Sequence, residues 1–407
     1  MRTVAITGLG IVAATGVGVP SFWADVCAGE PRFSPLPPFA QGTLGFGLGA
    51  QALAFDPERF FGRRQQGHLD RFAQLALVAA REAVADSGLD WSEDLRARSA
   101  VVTGSAIGGE LTQDEAFLRI YGHGGQQVNP VTIPRVMPSA GAVAISMEFG
   151  LTGPVLTHST ACSSASHAIG QAFMMVRSGM VDIAIAGGSE APFAFGYLKA
   201  WEAMQVVSPE ACRPFSLGRK GMSLGEAGAM LVLEPLERAQ ARGARIYAEL
   251  AGFGMSSDAS HLTRPHEAGP ARAIRAALDD AGLSPGEIGH INAHGTGTVM
   301  NDTVEARAIR EVFGETIPML TSTKAVHGHT LGAAGAVEAI ATVLAVSDAM
   351  VPPTAGFTAF DPECGLAPVS GAASPPRHRA ALSHSFAFGG LNAVLAFRPT
   401  DSAENRR

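Results

Sequence analysis

Hydrophobic positions along this chain fall into two recurring patterns. Short apolar runs that end in glycine read as strands covered on both faces; residues 4–10, 99–104 and 181–186 are of this kind, and 229–233 is a further apolar strand that leads into a helix. Longer stretches place apolar residues at helical spacing. Residues 70–88 do so through Phe72, Leu75, Ala76, Ala79, Ala83 and Val84 and stop at Gly88. Residues 141–149, 165–177 and 236–242 follow the same pattern, and 181–186 is expected to end at Gly187-Gly188.

The pattern then begins again. Residues 249–254 echo residues 5–10, 271–283 echo 79–89, and the strand entering glycines at 101–104 returns at 291–295. The helix at 333–346 parallels the one that follows Cys162. An internal duplication with a boundary near residue 245 therefore divides the chain into halves 1–245 and 246–407. Alternating strands and helices in both halves predict two similar α/β units packed sheet beside sheet, with helices between and outside. Residues 336–346, apolar all round, fit the shared middle layer.

Composition narrows the class. The chain has 407 residues, 46% hydrophobic and only 16% charged, with 48 glycines, which suits a large core and a sizeable subunit interface. A net charge of −7 argues against nucleic acid as a general partner. Cys27, Cys162, Cys212 and Cys364 form no CxxC and no regular spacing, so neither a disulfide framework nor a zinc site is expected, and a reducing cytoplasm is. No apolar run is expected to span a membrane. The N-terminal stretch, interrupted by Gly8, Gly10, Gly16 and Gly18, reads as strand and loop, not as a signal peptide. With Ala13 it matches GxGxxA, but a Pro-rich loop follows where a dinucleotide site needs a second strand ending in an acid.

Four stretches carry chemistry. Thr160-Ala161-Cys162-Ser163-Ser164 places a cysteine between a strand end and a helix start, where unpaired N–H groups and the macrodipole favour thiolate. Asn292-Ala293-His294-Gly295-Thr296-Gly297-Thr298 puts a histidine at a strand end in a Gly/Thr loop, with Asp302 and Glu305 after it. Ser322-Thr323-Lys324 leads to His327-Gly328-His329, two histidines without the further cluster a metal site needs. Ser385-Phe386-Ala387-Phe388-Gly389-Gly390-Leu391-Asn392 sets glycines beside two Phe rings.

In order and spacing, these motifs resemble the elongating, FabF-like β-ketoacyl-acyl-carrier-protein synthases of the thiolase superfamily, over nearly the whole chain. His327 in HGH and Leu391 in GGLN look closer to the nodulation-type and other specialised-pathway members. The resemblance implies a thiolase fold of duplicated halves in a five-layer αβαβα arrangement. It implies decarboxylative Claisen condensation of malonyl-carrier with an acyl chain held on Cys162. His294 and His329, as neutral imidazoles, would hold the enolate, and Lys324 would organise the site with Asp302 or Glu305 as its partner. The backbone N–H groups of Cys162 and Phe388 would form the oxyanion hole. Thr296 and Thr298 would bind pantetheine, Ile107 would line the acyl pocket, and Phe388 with Gly389 would gate the site against a mobile loop holding Asp258, His261 and Thr263. Arg63 and Arg64, in a polar loop before the helix at 70–88, and Arg71, on that helix's first turn, would dock the acidic acyl carrier protein. No cofactor or metal beyond the carrier's phosphopantetheine is expected. The partners expected are the carrier and a second subunit, either a copy of the chain or a chain-length-factor-like relative. Ala387 and Leu391 depart from the usual gate residues. Two rivals remain: a non-catalytic chain-length factor, which typically lacks the active cysteine, and a Cys-His hydrolase, for which no orienting Asn or Asp stands out.

Overall fold

The computed structural model describes residues 1–400. Ten strands carry the fold: β1 (Val4–Ala13), β2 (Ser99–Gly104), β3 (Val155–His158), β4 (Ile183–Glu190), β5 (Ala227–Pro235), β6 (Ala248–Ser257), β7 (Ile288–Asn292), β8 (Met319–Thr321), β9 (Ala380–Ala387) and β10 (Leu391–Arg398). Their principal helices are α1 (Arg71–Ser87), α2 (Glu110–Phe117), α3 (Ala140–Phe149), α4 (Ser164–Ser178), α5 (Ala268–Ala281), α6 (Val299–Phe313) and α7 (Ala334–Asp348).

The duplication is literal. The strands run β3-β2-β4-β5-β1 in the first half and β8-β7-β9-β10-β6 in the second, with parallel and antiparallel pairs in the same places. The expected separate sheets are, however, joined. β1 pairs antiparallel with β6 through Val4↔Leu250 and Ile6↔Ala248, so among the described residues one 11-stranded sheet runs across both halves, its eleventh member the two-residue strand Gly16–Val17 paired to the end of β1. Helices α4 and α7 lie between the two wings and touch strands of both, α1 and α3 cover the first wing outside, and α5 and α6 cover the second. This gives five layers.

The glycines of β1 serve packing. A Cβ on Gly8 would lie 2.1 Å from the Ala83 carbonyl oxygen of α1, and one on Gly10 2.0 Å from that of Ala79. Gly252 and Gly254 of β6 repeat the arrangement against Ala277 and Ala273 of α5, at 2.5 and 2.2 Å. The GxG pattern thus lets a helix backbone settle onto a strand.

Two expectations change. β4 continues through Gly187-Gly188 to Glu190, because β2 and β5 pair with it on both sides. Residues 331–348 do form one helical stretch long and apolar enough to cross a membrane, but 89% of it is buried inside the protein as the middle layer.

Candidate active site

β3 ends at His158, and the chain turns through a 3₁₀ segment, Ala161–Ser163, into α4. Ala161 takes φ +51°, a conformation that costs a non-glycine residue about 1 kcal/mol and holds Cys162 at the bend. The second half repeats the turn before α7: Leu331–Ala333 is 3₁₀, and Leu331 has φ +48°. The counterpart of Cys162 is therefore Gly332. A side chain there would strike Ala106 N at 2.2 Å and Glu190 Oε2 at 2.3 Å. One copy of the turn carries a nucleophile; the other has no room for a side chain.

Cys162 Sγ and ring nitrogens of His294 and His329 lie within 4.8 Å of one another, all buried. The imidazoles meet edge to face with centroids 5.3 Å apart. Hydrogen bonding fixes their tautomers. Lys324 Nζ, fully buried, donates to the His294 carbonyl (2.6 Å) and to His294 Nδ1 (3.2 Å). Leu331 N–H donates to His329 Nδ1 (3.2 Å). With Nδ1 accepting in both rings, each imidazole keeps its proton on Nε2. Burial, reinforced by the Lys324 charge, holds both histidines well below their ordinary pKa, so both are neutral donors. The trio is close enough to ligate a metal, but the ammonium beside His294 opposes a cation there.

Three expected roles are corrected. Burial pushes the Cys162 thiol up to about 11, and Lys324 recovers only part of this, so the helix start does not leave a resting thiolate. The acidic partner of Lys324 is Glu338 of α7, in a fully buried contact, and not Asp302 or Glu305. Those two brace loops from α6. Glu305 accepts the N–H groups of His294 and Gly295 (2.8 Å each) and faces His384 Nδ1 at 3.1 Å. Asp302 accepts from Phe215 N (2.8 Å) and Gly297 N (3.2 Å) and lies 3.5 Å from Arg219. Sequence reading missed Glu338, though a single carboxyl in an apolar helical run was a usable signal.

A cavity of about 400 Å³ opens above the trio. Thr296 and Thr298 line it, their hydroxyls 2.9 Å apart, with His261, Thr263, Phe388 and Gly389. Gly389 and Gly390, at φ +78° and +69°, follow Phe388 in a short turn. The neighbouring loop grips this turn. Gly389 N–H donates to the Leu262 carbonyl (2.7 Å) and Asp258 N–H to that of Gly390 (3.0 Å), while the Asp258 carboxylate accepts from Asn392 Nδ2 (2.7 Å) and His266 N–H (2.8 Å). Ala387 lines the cavity. Ile107 stands outside it, half-buried in the loop after β2. Arg63 and Arg64 are exposed, on a short helix (Arg63–His68) where a loop was expected. Arg71 is not free to dock a partner: it forms a bidentate pair with buried Glu226, at 2.7 Å twice.

Comparison with known proteins agrees with this geometry. Residues 1–239 match the family model described as beta-ketoacyl synthase, N-terminal domain, and residues 247–358 its C-terminal domain. Nodulation protein E of Rhizobium sp. (strain N33) is 43% identical over 399 residues, 98% of this chain and 99% of that protein. 3-Oxoacyl-[acyl-carrier-protein] synthase 2 of Staphylococcus aureus (strain COL) is 38% identical over 406 residues, 98% of each. Among solved structures, the ishigamide ketosynthase/chain length factor superposes with TM-score 0.93 at 36% identity, covering 98% of this chain and 99% of that one. A type II PKS acyl-carrier protein in complex with its ketosynthase bound to the hexaketide gives 0.89 at 33%, covering 98% and 100%.

Proposed function

The chain belongs to the β-ketoacyl synthase family and is a β-ketoacyl-acyl-carrier-protein synthase of the thiolase fold, and from that premise we propose how its own residues divide the reaction. The observation that carries the proposal is a buried thiol facing two neutral Nε2–H donors within 4.8 Å, under a cavity open to a carrier arm.

In the first step Cys162 sulfur attacks the acyl thioester carried on phosphopantetheine. The S–C bond to Cys162 forms, the bond to pantetheine sulfur breaks, and the thiol proton lost by cysteine is regained by the departing thiol. The N–H groups of Cys162 and Phe388 hold the tetrahedral oxyanion. In the second, malonyl-carrier loses CO₂, and the electron pair of the broken C–C bond passes into an enolate. The Nε2–H groups of His294 and His329 donate to the enolate oxygen without supplying the strong acid that would protonate its carbon. That carbon attacks the Cys162 thioester and releases the β-ketoacyl-carrier, and the cysteine sulfur takes a proton from solvent. Lys324, held by Glu338, is a positioning residue that fixes the His294 tautomer.

The pantetheine arm enters past Thr296 and Thr298, and no metal or resident cofactor is required. Phe388 and Gly389 gate the entrance, latched to the Asp258 loop near His261 and Thr263. Arg63 and Arg64 dock the carrier. We place the boundary between the halves at 245/246 and the protein in the cytoplasm. A second subunit covers the free edge of β3, which exposes apolar Leu156, together with the adjacent helix α3, which exposes Val143 and Met147. A second copy fits, and a chain-length-factor-like subunit would use the same edge. Full-length likeness to nodulation protein E favours a specialised chain-elongation pathway.

Radiolabelled malonyl-carrier with acyl-carrier tests the reading. Wild type should release CO₂ and form product; no turnover would mark a chain-length factor and acyl release a hydrolase. His294→Ala or His329→Ala should lose on the order of 10²-fold or more in condensation while the Cys162 acyl adduct still appears by intact mass. Equal loss of both half-reactions would contradict the division.

A further inference from the structure

The cavity above Cys162 changes character from floor to rim. Cys162, His294 and His329 are buried at its floor, Thr296 is buried with them, Thr298 is half-buried, and Met300 and Arg264 are exposed. Among the described residues that line it, Arg264 is the one Lys, Arg, Asp or Glu. Its wall therefore runs from thiol and imidazoles, through a pair of hydroxyls, to a guanidinium.

The backbone that carries Arg264 is held in place. His261 Nδ1 accepts from the N–H groups of Thr263 (3.1 Å) and Arg264 (3.2 Å). The Leu262 carbonyl accepts from Gly389 N–H (2.7 Å), and Asp258 closes the loop on His266 N–H (2.8 Å). Pro265 biases the residue before it toward extended backbone. The side chain, by contrast, is uncommitted. Arg272, on the helix that follows this loop, donates to the Ser257 carbonyl at 2.8 Å, whereas the Arg264 guanidinium meets no acceptor among the described residues. A free cation thus stands on a fixed turn at the rim.

The arm that enters has its own order of chemistry. Phosphopantetheine carries its thioester at one end, amides along its length and a phosphate at the other end, where it joins the carrier. With the thioester at Cys162 and the amides against Thr296 and Thr298, the phosphate arrives at the rim. We propose that Arg264 binds the phosphate of the phosphopantetheine arm. This rests on the reading of Cys162 as acceptor of an acyl chain from a phosphopantetheine thioester. A guanidinium suits the task, because its fork of N–H donors matches two phosphate oxygens. The pair is exposed and water-screened, and it lies far from the reacting carbon. It therefore strengthens binding of substrate and transition state alike, lowering KM and not raising kcat.

The test uses two small thioesters with the same acyl chain, acyl-pantetheine and acyl-phosphopantetheine, and follows acylation of Cys162 by intact mass. Wild type should half-saturate with the phosphorylated thioester at roughly fivefold lower concentration, an advantage that shrinks as salt is added. Arg264→Ala should bring the two thioesters together by weakening the phosphorylated one, and should also raise the KM for acyl-carrier. Arg264→Lys, which keeps the charge without the fork, should retain part of the advantage. A wild-type enzyme indifferent to the phosphate, or an advantage undiminished in Arg264→Ala, overturns the proposal. So does a variant that weakens acyl-carrier alone, since Arg264 would then meet acidic side chains of the carrier and not the arm. Acylation without phosphate preference sinks the Arg264 role by itself; no acylation of Cys162 by any thioester sinks the reading beneath it as well.

Discussion

Cys162 sits where two electrostatic effects oppose each other. The helix start and the Lys324 ammonium favour a thiolate, and complete burial disfavours it, with burial the larger effect. At pH 7 the resting thiolate fraction should therefore be on the order of 10⁻⁴. Alkylation of the free enzyme by iodoacetamide should be slow at neutral pH and rise about tenfold per pH unit toward pH 10; a plateau below pH 8 would contradict this. Sequence brought Cys162, His294 and His329 together only through motifs whose order and spacing resemble those of the β-ketoacyl synthases; the small residues around Cys162 leave room for a ligand but do not by themselves pair the three. It could not pair Lys324 with Glu338, since the two approach only when α7 is buried against β7 and β9. Nor could it separate Arg71, spent on Glu226, from exposed Arg63 and Arg64. The contrast is testable. Arg63→Glu with Arg64→Glu should raise the KM for acyl-carrier, leave turnover of a small pantetheine thioester nearly unchanged, and keep the wild-type melting temperature. Arg71→Glu should instead lower the melting temperature, because it leaves Glu226 buried without its cation.

Among the elements, the strand–helix contacts of β1 with α1 and of β6 with α5 are the closest backbone approaches that the two halves share. Gly10→Ala or Gly254→Ala must push a helix off its strand. Each should cost about 1–3 kcal/mol or more in chemical denaturation, whereas Gly286→Ala, where a Cβ meets nothing within 4 Å, should cost far less. Helix ends were readable: Asp70 caps α1 through Phe72 N, and Gly88 closes it at φ +60°. Two element errors have local causes. Glycines usually end a strand, but the pairing of β4 on both sides overrides that preference at Gly187-Gly188. The helix at Arg63–His68 has no apolar periodicity to announce it, since none of its residues is buried.

For the whole molecule, buried histidines govern the response to acid. Burial lowers His290 and His327 to about 3, and His294 and His329 also lie well below their ordinary value. Each stays neutral in the native state while the unfolded chain takes up a proton below about pH 6.5. Stability from this source is present above pH 6.5 and is lost as pH falls toward 3. The raised carboxyls Glu110, Glu190 and Glu338 act oppositely, since the native state retains protons that the unfolded chain releases above about 4.5. The two sets offset one another between pH 4.5 and 6.5. Below 4.5 the histidines continue, joined in the same direction by carboxylates held low, such as Asp182 beside Arg98 and Arg2, and His290 and His327 by themselves should remove about 3 kcal/mol per pH unit. Urea unfolding from pH 6 to pH 3.5 checks this; a stability flat across that range would contradict it. At this scale the repeated half was legible from residues 5–10 and 249–254, but the β1–β6 ladder that joins the wings was not, because which strand pairs with which across two halves leaves no mark in either strand's own pattern. That ladder sets the two nearly identical turns facing each other, one ending in Cys162 and the other in Gly332. Their difference is a lock. The backbone of residues 105–106 and the Glu190 carboxylate fill the space that a side chain on Gly332 would need, so a nucleophile substituted there alone has nowhere to stand. The scaffold is two-fold, and the chemistry it can hold is one-handed.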